Sequence, residues 1–382
     1  MHALPTFEQQ LARLISLASV SSATPAWDMG NLAVIEQLAE WFSSLHFSTE
    51  VLIDPEQSNK ANLIATLGSG EGGLVLSGHT DTVPFDEQLW QSNPLQVALR
   101  DNAYYGIGTA DMKGFFAVII AALRDMDLRQ LKHPLIIVAT ADEESSMSGA
   151  RRLAASSLKT PRAAVIGEPT GLKPIRAHKG VMMETIRITG RAGHSSNPAL
   201  GINALDAMAE VIQALMSYRA DLATRYRDPL FEVDHPTINL GHIHGGDNPN
   251  RICGQCELQF DVRMMPGMAI DSVREEILAL ISPIVAKHRG QLSFEALVPG
   301  VEPFLLDGDS ELVKAAERMT GQDAGIVGFA TEAPFFQAMG VDTIVMGPGS
   351  IDVAHQPDEH LPLEHIKPAM EIIQRLVQHY CL

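Results

Sequence analysis

Cysteine is scarce in this chain: three residues in 382, Cys253, Cys256 and Cys381. So few, and an odd number, exclude a disulfide framework. Cys253 and Cys256 make a CxxC, yet no second CxxC or Cys/His pair matches it, so two ordinary thiols in a strand are expected. Basic residues are also short, 28 Lys and Arg against 46 Asp and Glu, for a net charge of -18. Nucleic acid and anionic membrane each demand a basic face, and both are excluded as partners. No apolar run reaches the roughly 18 residues that span a bilayer. The opening Met1-His2-Ala3-Leu4-Pro5 lacks the basic-then-apolar order of a secretion signal, so a cytoplasmic location is expected. Internal repeats and low-complexity segments are missing as well.

What is present describes an ordinary globular protein, 46% hydrophobic and 19% charged, long enough for two domains. Thr6 to Val20 and Asn31 to Phe47 carry apolar residues at helical spacing. Thr49 to Ile53, Asn62 to Leu67 and Leu74 to Leu76 read as strands. Between the last two, Gly68-Ser69-Gly70-Glu71-Gly72-Gly73 has the GxGxxG spacing of a dinucleotide loop. A strand follows rather than the helix that would hold a pyrophosphate, so a hairpin turn is expected there. Further apolar strands, Pro134 to Thr140 and Ala163 to Ile166, alternate with helices and end in acidic residues. The pattern predicts an α/β fold: a mixed, mostly parallel sheet with helices on both faces and a site at the carboxyl edge of its strands.

Near residue 178 the texture changes. Alternating strands at Val181 to Thr189, Thr237 to Ile243 and Cys256 to Val262, with helices at Asn203 to Tyr218 and Ile270 to Lys287, predict an inserted α+β domain over 179–292. The catalytic domain is then expected in two parts, 1–178 and 293–382.

Seven polar residues stand just beyond apolar strands or in loops: His79 with Asp81, Asp111, Glu143 with Glu144, Glu168, and His355. Clustered carboxylates repel unless a cation or shared protons compensate, and a cation is the simpler answer. Two divalent ions about 3.5 Å apart need a bridging carboxylate and roughly two further protein ligands each. Imidazole and carboxylate without thiolate suit zinc, with cobalt or manganese also accommodated. Spacing alone leaves the pairing of ligands open.

The segments SGHTDTVPF, GTADMKG, ADEESSMSGA, GEPT, GHSS, GDNPNRICG and AHQPDE resemble those of the zinc aminoacylase and carboxypeptidase family, in order and from the first helix to the last. AHKG, LGHIHGGD, TEAPF and GPGSI narrow the likeness to members that remove an acetyl group from an amino acid. The resemblance implies a zinc-peptidase-like catalytic domain with an inserted lid and dimerisation domain, and hydrolysis of an N-acyl amino acid. It implies that Asp111 bridges two metal ions, often before a cis peptide bond, with His79 and Glu168 on one ion and Glu144 and His355 on the other. Asp81 would orient His79, and Glu143 would be the general base. By the same likeness His194 would stabilise the oxyanion in a partner subunit of a homodimer. Asn250 and Arg251 would bind the substrate carboxylate.

Overall fold

The computed structural model describes residues 4–155 and 161–382. Met1 to Ala3 of the N-terminal stretch read above lie outside them. The chain divides into two compact units, one of residues 1–176, 306–325 and 331–382, the other of 177–305 and 326–330.

In chain order the elements are α1 (Phe7–Ser16), α2 (Leu32–Ser44), β1 (Ser48–Ile53), β2 (Ala61–Leu67), β3 (Leu74–His79), β4 (Ala98–Arg100), β5 (Ala103–Tyr105), α3 (Lys113–Arg124), β6 (Leu135–Thr140), α4 (Ser148–Ala155), β7 (Ala163–Pro169) and β8 (Ile175–His178). There follow β9 (Gly180–Thr189), α5 (Ala204–Arg225), β10 (Thr237–Gly245), β11 (Gln255–Met264), α6 (Ile270–Lys287), β12 (Gln291–Val301) and β13 (Phe304–Leu305). The chain closes with α7 (Glu311–Thr320), β14 (Gly325–Val327), α8 (Ala333–Ala338), β15 (Asp342–Gly347), β16 (His360–Pro362) and α9 (Leu363–Cys381). Local signals set the helix ends: Thr6 and Gln9 form a reciprocal capping box on α1, and Gly321, at φ 70°, closes α7.

The first unit is built on a sheet whose strands run β1-β2-β6-β3-β7-β15. The four strands from β6 to β15 are mutually parallel, while β1, β2 and β6 pair antiparallel. β3, β6 and β7 are buried from end to end, as parallel strands covered by helices must be. Helix α3, buried except for Arg124, packs on β3 between α1 and α9. Because the four strands point one way, the residues at their carboxyl ends emerge along one edge. His79 ends β3 opposite Thr140, which ends β6, and Glu168 is the penultimate residue of β7.

The hairpin expected at Gly68 to Gly73 is not there, because β6 inserts between β2 and β3. The connection crosses over the start of β6, where Leu74 N donates to Pro134 O at 3.1 Å. A Cβ on Gly73 would fall 2.0 Å from that carbonyl, and Gly68, Gly70, Gly72 and Gly73 all have positive φ. The glycines serve a close crossing, not a two-strand turn.

In the second unit an antiparallel sheet, β10-β11-β9-β12, carries alternate buried side chains. Met182, Ile186 and Ile188 of β9 and Leu258, Phe260 and Val262 of β11 join Met208, Val211 and Leu215 of α5 and Ile277 and Ile281 of α6 in one core. The sheet runs past the boundary expected at 292: β12 pairs with β9 from Gln291 to Val301 and the unit continues to Leu305. Two register shifts, at 296/298 and 298/301, break the alternation that would have exposed β12 to sequence reading. Of the two thiols placed in a strand, only Cys256 is in one. Cys253 precedes it, buried, with its Sγ donating to Gln255 O at 3.0 Å.

His178 is fully buried in this unit, its Nδ1 donating to Lys179 O at 2.9 Å, and burial pulls its pKa down to about 4. A histidine held neutral by the fold contributes stability that is complete above the unfolded pKa and fades as pH falls towards 4. Its share of that loss between pH 7 and pH 5 is about 2 kcal/mol. Urea midpoints for the protein and for His178→Gln check this: the steep acid slope should belong to the former, and equal slopes would contradict it.

Candidate metal centre

Six of the seven collected residues meet at the carboxyl edge of the first sheet. His79 Nε2 lies 3.0 Å from Asp111 Oδ1 and 3.9 Å from Glu168 Oε1. On the other side of the same carboxylate, Asp111 Oδ2 lies 3.4 Å from His355 Nε2, which is 2.9 Å from Glu144 Oε2. Asp111 therefore faces one imidazole with each oxygen. Glu143 joins His79 and Glu168, with one donor atom from each within 4.8 Å of the others, and His79, Asp111 and Glu144 make a second such set.

Each element delivers its residue for a local reason. His79 is the last residue of a buried strand, Glu143 and Glu144 leave the turn after β6, and His355, at φ 59°, follows the loop after β15. Asp111 stands before α3, and the Asp111–Met112 peptide is cis.

Asp81 is placed differently from the expectation. His79 Nδ1 lies 3.0 Å from the main-chain carbonyl of Asp81, while the nearest carboxylate oxygen is 3.7 Å away. That carboxylate instead accepts the backbone N–H groups of Glu143, at 3.2 Å, and Glu144, at 3.0 Å. One residue thus orients the imidazole with its backbone and the acidic turn with its side chain.

Sequence reasoning gave no role to Glu359. Its carboxylate accepts N–H from Gly108, Ala110 and Asp111 at 3.1, 2.9 and 2.9 Å, fixing the loop that presents Asp111. Burial, then the charge of Asp111, raise its pKa to about 8. The only advance signal was its place in AHQPDE. Glu332 of TEAPF, fully buried, is likewise raised by burial to about 7.

The electrostatics call for a cation. Burial, then the charge of Glu168, push Glu143 well above the usual carboxylate range; burial, then Asp111, do the same to Glu168. Bonds to Asp111 and Glu144 raise His355 to about 10. Among the described residues Glu168 Oε1 is buried with no hydrogen-bond partner. An acceptor left bare, beside carboxylates that crowd a pair of imidazoles, fits a divalent-metal donor set of nitrogen and oxygen.

His194, Asn250 and Arg251 belong to the second unit, where two loops bring them together. Residues 194 and 251 form a β-bridge, and Ser195 N donates to Asn250 O at 3.1 Å. Ser196 Oγ lies 2.8 Å from His194 Nδ1, and the Arg251 guanidinium pairs with Asp247 at 2.5 Å.

Imidazoles and carboxylates gathered at the edge of a parallel sheet, around one central aspartate, define a metal-dependent hydrolase. The chain belongs to peptidase family M20/M25/M40, whose model matches residues 75–379. It is 48% identical over 379 residues to an acetylornithine deacetylase of Proteus mirabilis, covering 99% of this chain and 98% of that one. With an acetylornithine deacetylase of Salmonella heidelberg it shares 46% over 378 residues, again 99% and 98% of the two chains. A metallo-carboxypeptidase of Sulfolobus solfataricus has the same fold at a TM-score of 0.75 and 16% identity, covering 98% of this chain and 99% of that one. Among the described residues no helix is long and apolar enough to cross a membrane.

Proposed function

We propose that the chain hydrolyses N2-acetylornithine to ornithine and acetate, a step towards arginine, using two divalent ions, zinc foremost and cobalt as a substitute. The observation that carries the metal reading is Asp111, with an imidazole at each oxygen and a further carboxylate beyond each imidazole. Near-full-length identity to acetylornithine deacetylases supports the substrate.

His79, Asp111 and Glu168 would hold one ion, and Asp111, Glu144 and His355 the other. When bound, such ions polarise an amide carbonyl and ease deprotonation of water. Glu143 takes the proton of the attacking water on its carboxylate and later delivers it to the departing α-amine, which leaves as ornithine. Asp81 keeps His79 and the Glu143–Glu144 turn in register. His194 donates a hydrogen bond to the developing oxyanion, and Asn250 and Arg251 grip the substrate's carboxylate, for which a guanidinium fork has the right shape.

We place His194 in the neighbouring site of a homodimer formed through the second unit. Sedimentation should find a dimer, and an active monomer would remove this assignment. The substrate is tested by kcat/KM for acetylornithine, acetylcitrulline, succinyl-diaminopimelate and a dipeptide. Acetylornithine should lead by at least tenfold, a difference of about 1.4 kcal/mol. A larger value for another member of the panel would transfer the activity to that substrate, since pocket walls rather than metal ligands discriminate.

A further inference from the structure

The turn from Ala141 to Gly149 carries Glu143 and Glu144, and it is anchored from outside the cluster by a buried ionic network. Asp142, at φ 60°, reverses the backbone just before Glu143. Its Oδ1 accepts from Lys60 Nζ at 2.6 Å and Ser21 Oγ at 3.0 Å, and its Oδ2 from Ser148 Oγ at 3.0 Å. Lys60, 3% exposed, is itself held by both oxygens of Asp28, at 2.9 and 2.8 Å. Two residues on, in β2, Asn62 clasps the two ends of the turn, accepting from Ala141 N at 3.1 Å and donating to Gly149 O at 2.9 Å. Asp81 holds the two N–H groups between.

A buried lysine set between two carboxylates has little freedom, because any movement leaves a charge uncompensated. Asp142 inherits that rigidity through a short bond, and its left-handed backbone converts it into direction: side chain 142 points to Lys60 while 143 and 144 turn to the cluster. We infer that Lys60 is a positioning residue, acting through Asp142 to aim the carboxylates of Glu143 and Glu144. It touches no reacting atom. The inference rests on the roles proposed for those two glutamates.

Lys60→Met in the metal-loaded protein tests it. Because misplacing a catalytic group by about 1 Å can cost about 100-fold, kcat should fall about 10- to 100-fold while KM stays within about twofold. The visible absorption of the cobalt-loaded protein should also change, since it reports the ligand field to which Glu144 contributes. Ser148→Ala leaves every charge paired and should lower kcat about three- to tenfold, roughly the net loss of one ordinary hydrogen bond; it decides alone if Lys60→Met does not fold. Folded variants with kcat within twofold of the parent and an unchanged cobalt spectrum would overturn the inference. Glu143→Ala, run beside them, separates the two questions. If it is inactive while Lys60→Met is normal, positioning fails alone; if it is active, the base assignment fails, and the cobalt spectrum still reports whether Lys60 aims the turn.

Discussion

Glu143→Ala is expected to keep both metal ions and to lose roughly 10²- to 10⁴-fold in kcat, the usual contribution of a positioned general base. The result matters because the geometry alone admits a second role: Glu143 has a donor atom within 4.8 Å of those of His79 and Glu168, close enough to be a ligand. The two roles predict different losses. A ligand takes metal with it when removed, whereas a base leaves the metal and takes only the proton transfer. Burial and the charge of Glu168 push the Glu143 carboxyl well above its usual range, as crowded carboxylates do until a cation compensates them. Metal content and turnover measured on the same sample decide it: lost metal would make Glu143 a ligand, and retained activity would assign the base elsewhere.

The candidate centre could be collected from sequence because most of its members stand at the ends of uninterrupted apolar runs. His79 after Leu74 to Leu76, Glu143 and Glu144 after Pro134 to Thr140, and Glu168 after Ala163 to Ile166 all follow strands buried on both faces. In a parallel sheet, such strands end on one edge. The inserted unit was legible for a related reason, since the period changes from continuous runs to alternation at β9 and β11.

What escaped reading depends on contacts between distant positions. Glu359 caps a loop some 250 residues earlier, and Lys60 meets Asp142 across 82. Neither pair leaves a local period or spacing. The order of strands escaped for the same reason: nothing between Leu67 and Leu74 announces that β6 will enter between β2 and β3. Asp81 shows a subtler limit. Its neighbourhood to His79 was legible, but which of its oxygens meets the ring is a matter of backbone direction, and the carboxylate went to the turn after β6. Strands β4, β5 and β16 are three residues each, too short for a periodic signal.

The second large effect concerns the metals themselves. Four glutamates and aspartates cluster around His79 and His355, and one acceptor oxygen of Glu168 lacks a protein donor, so protons alone are a poor substitute for a divalent cation. Stripping should therefore leave a folded protein without turnover, because the ions would supply the polarisation of the amide carbonyl and the activation of water. The decisive measurement is acetate release from N2-acetylornithine after dialysis against a strong chelator, followed by titration with zinc. The stripped protein should show no turnover, and recovery should saturate by two zinc ions per chain. Full turnover in the stripped protein would contradict this.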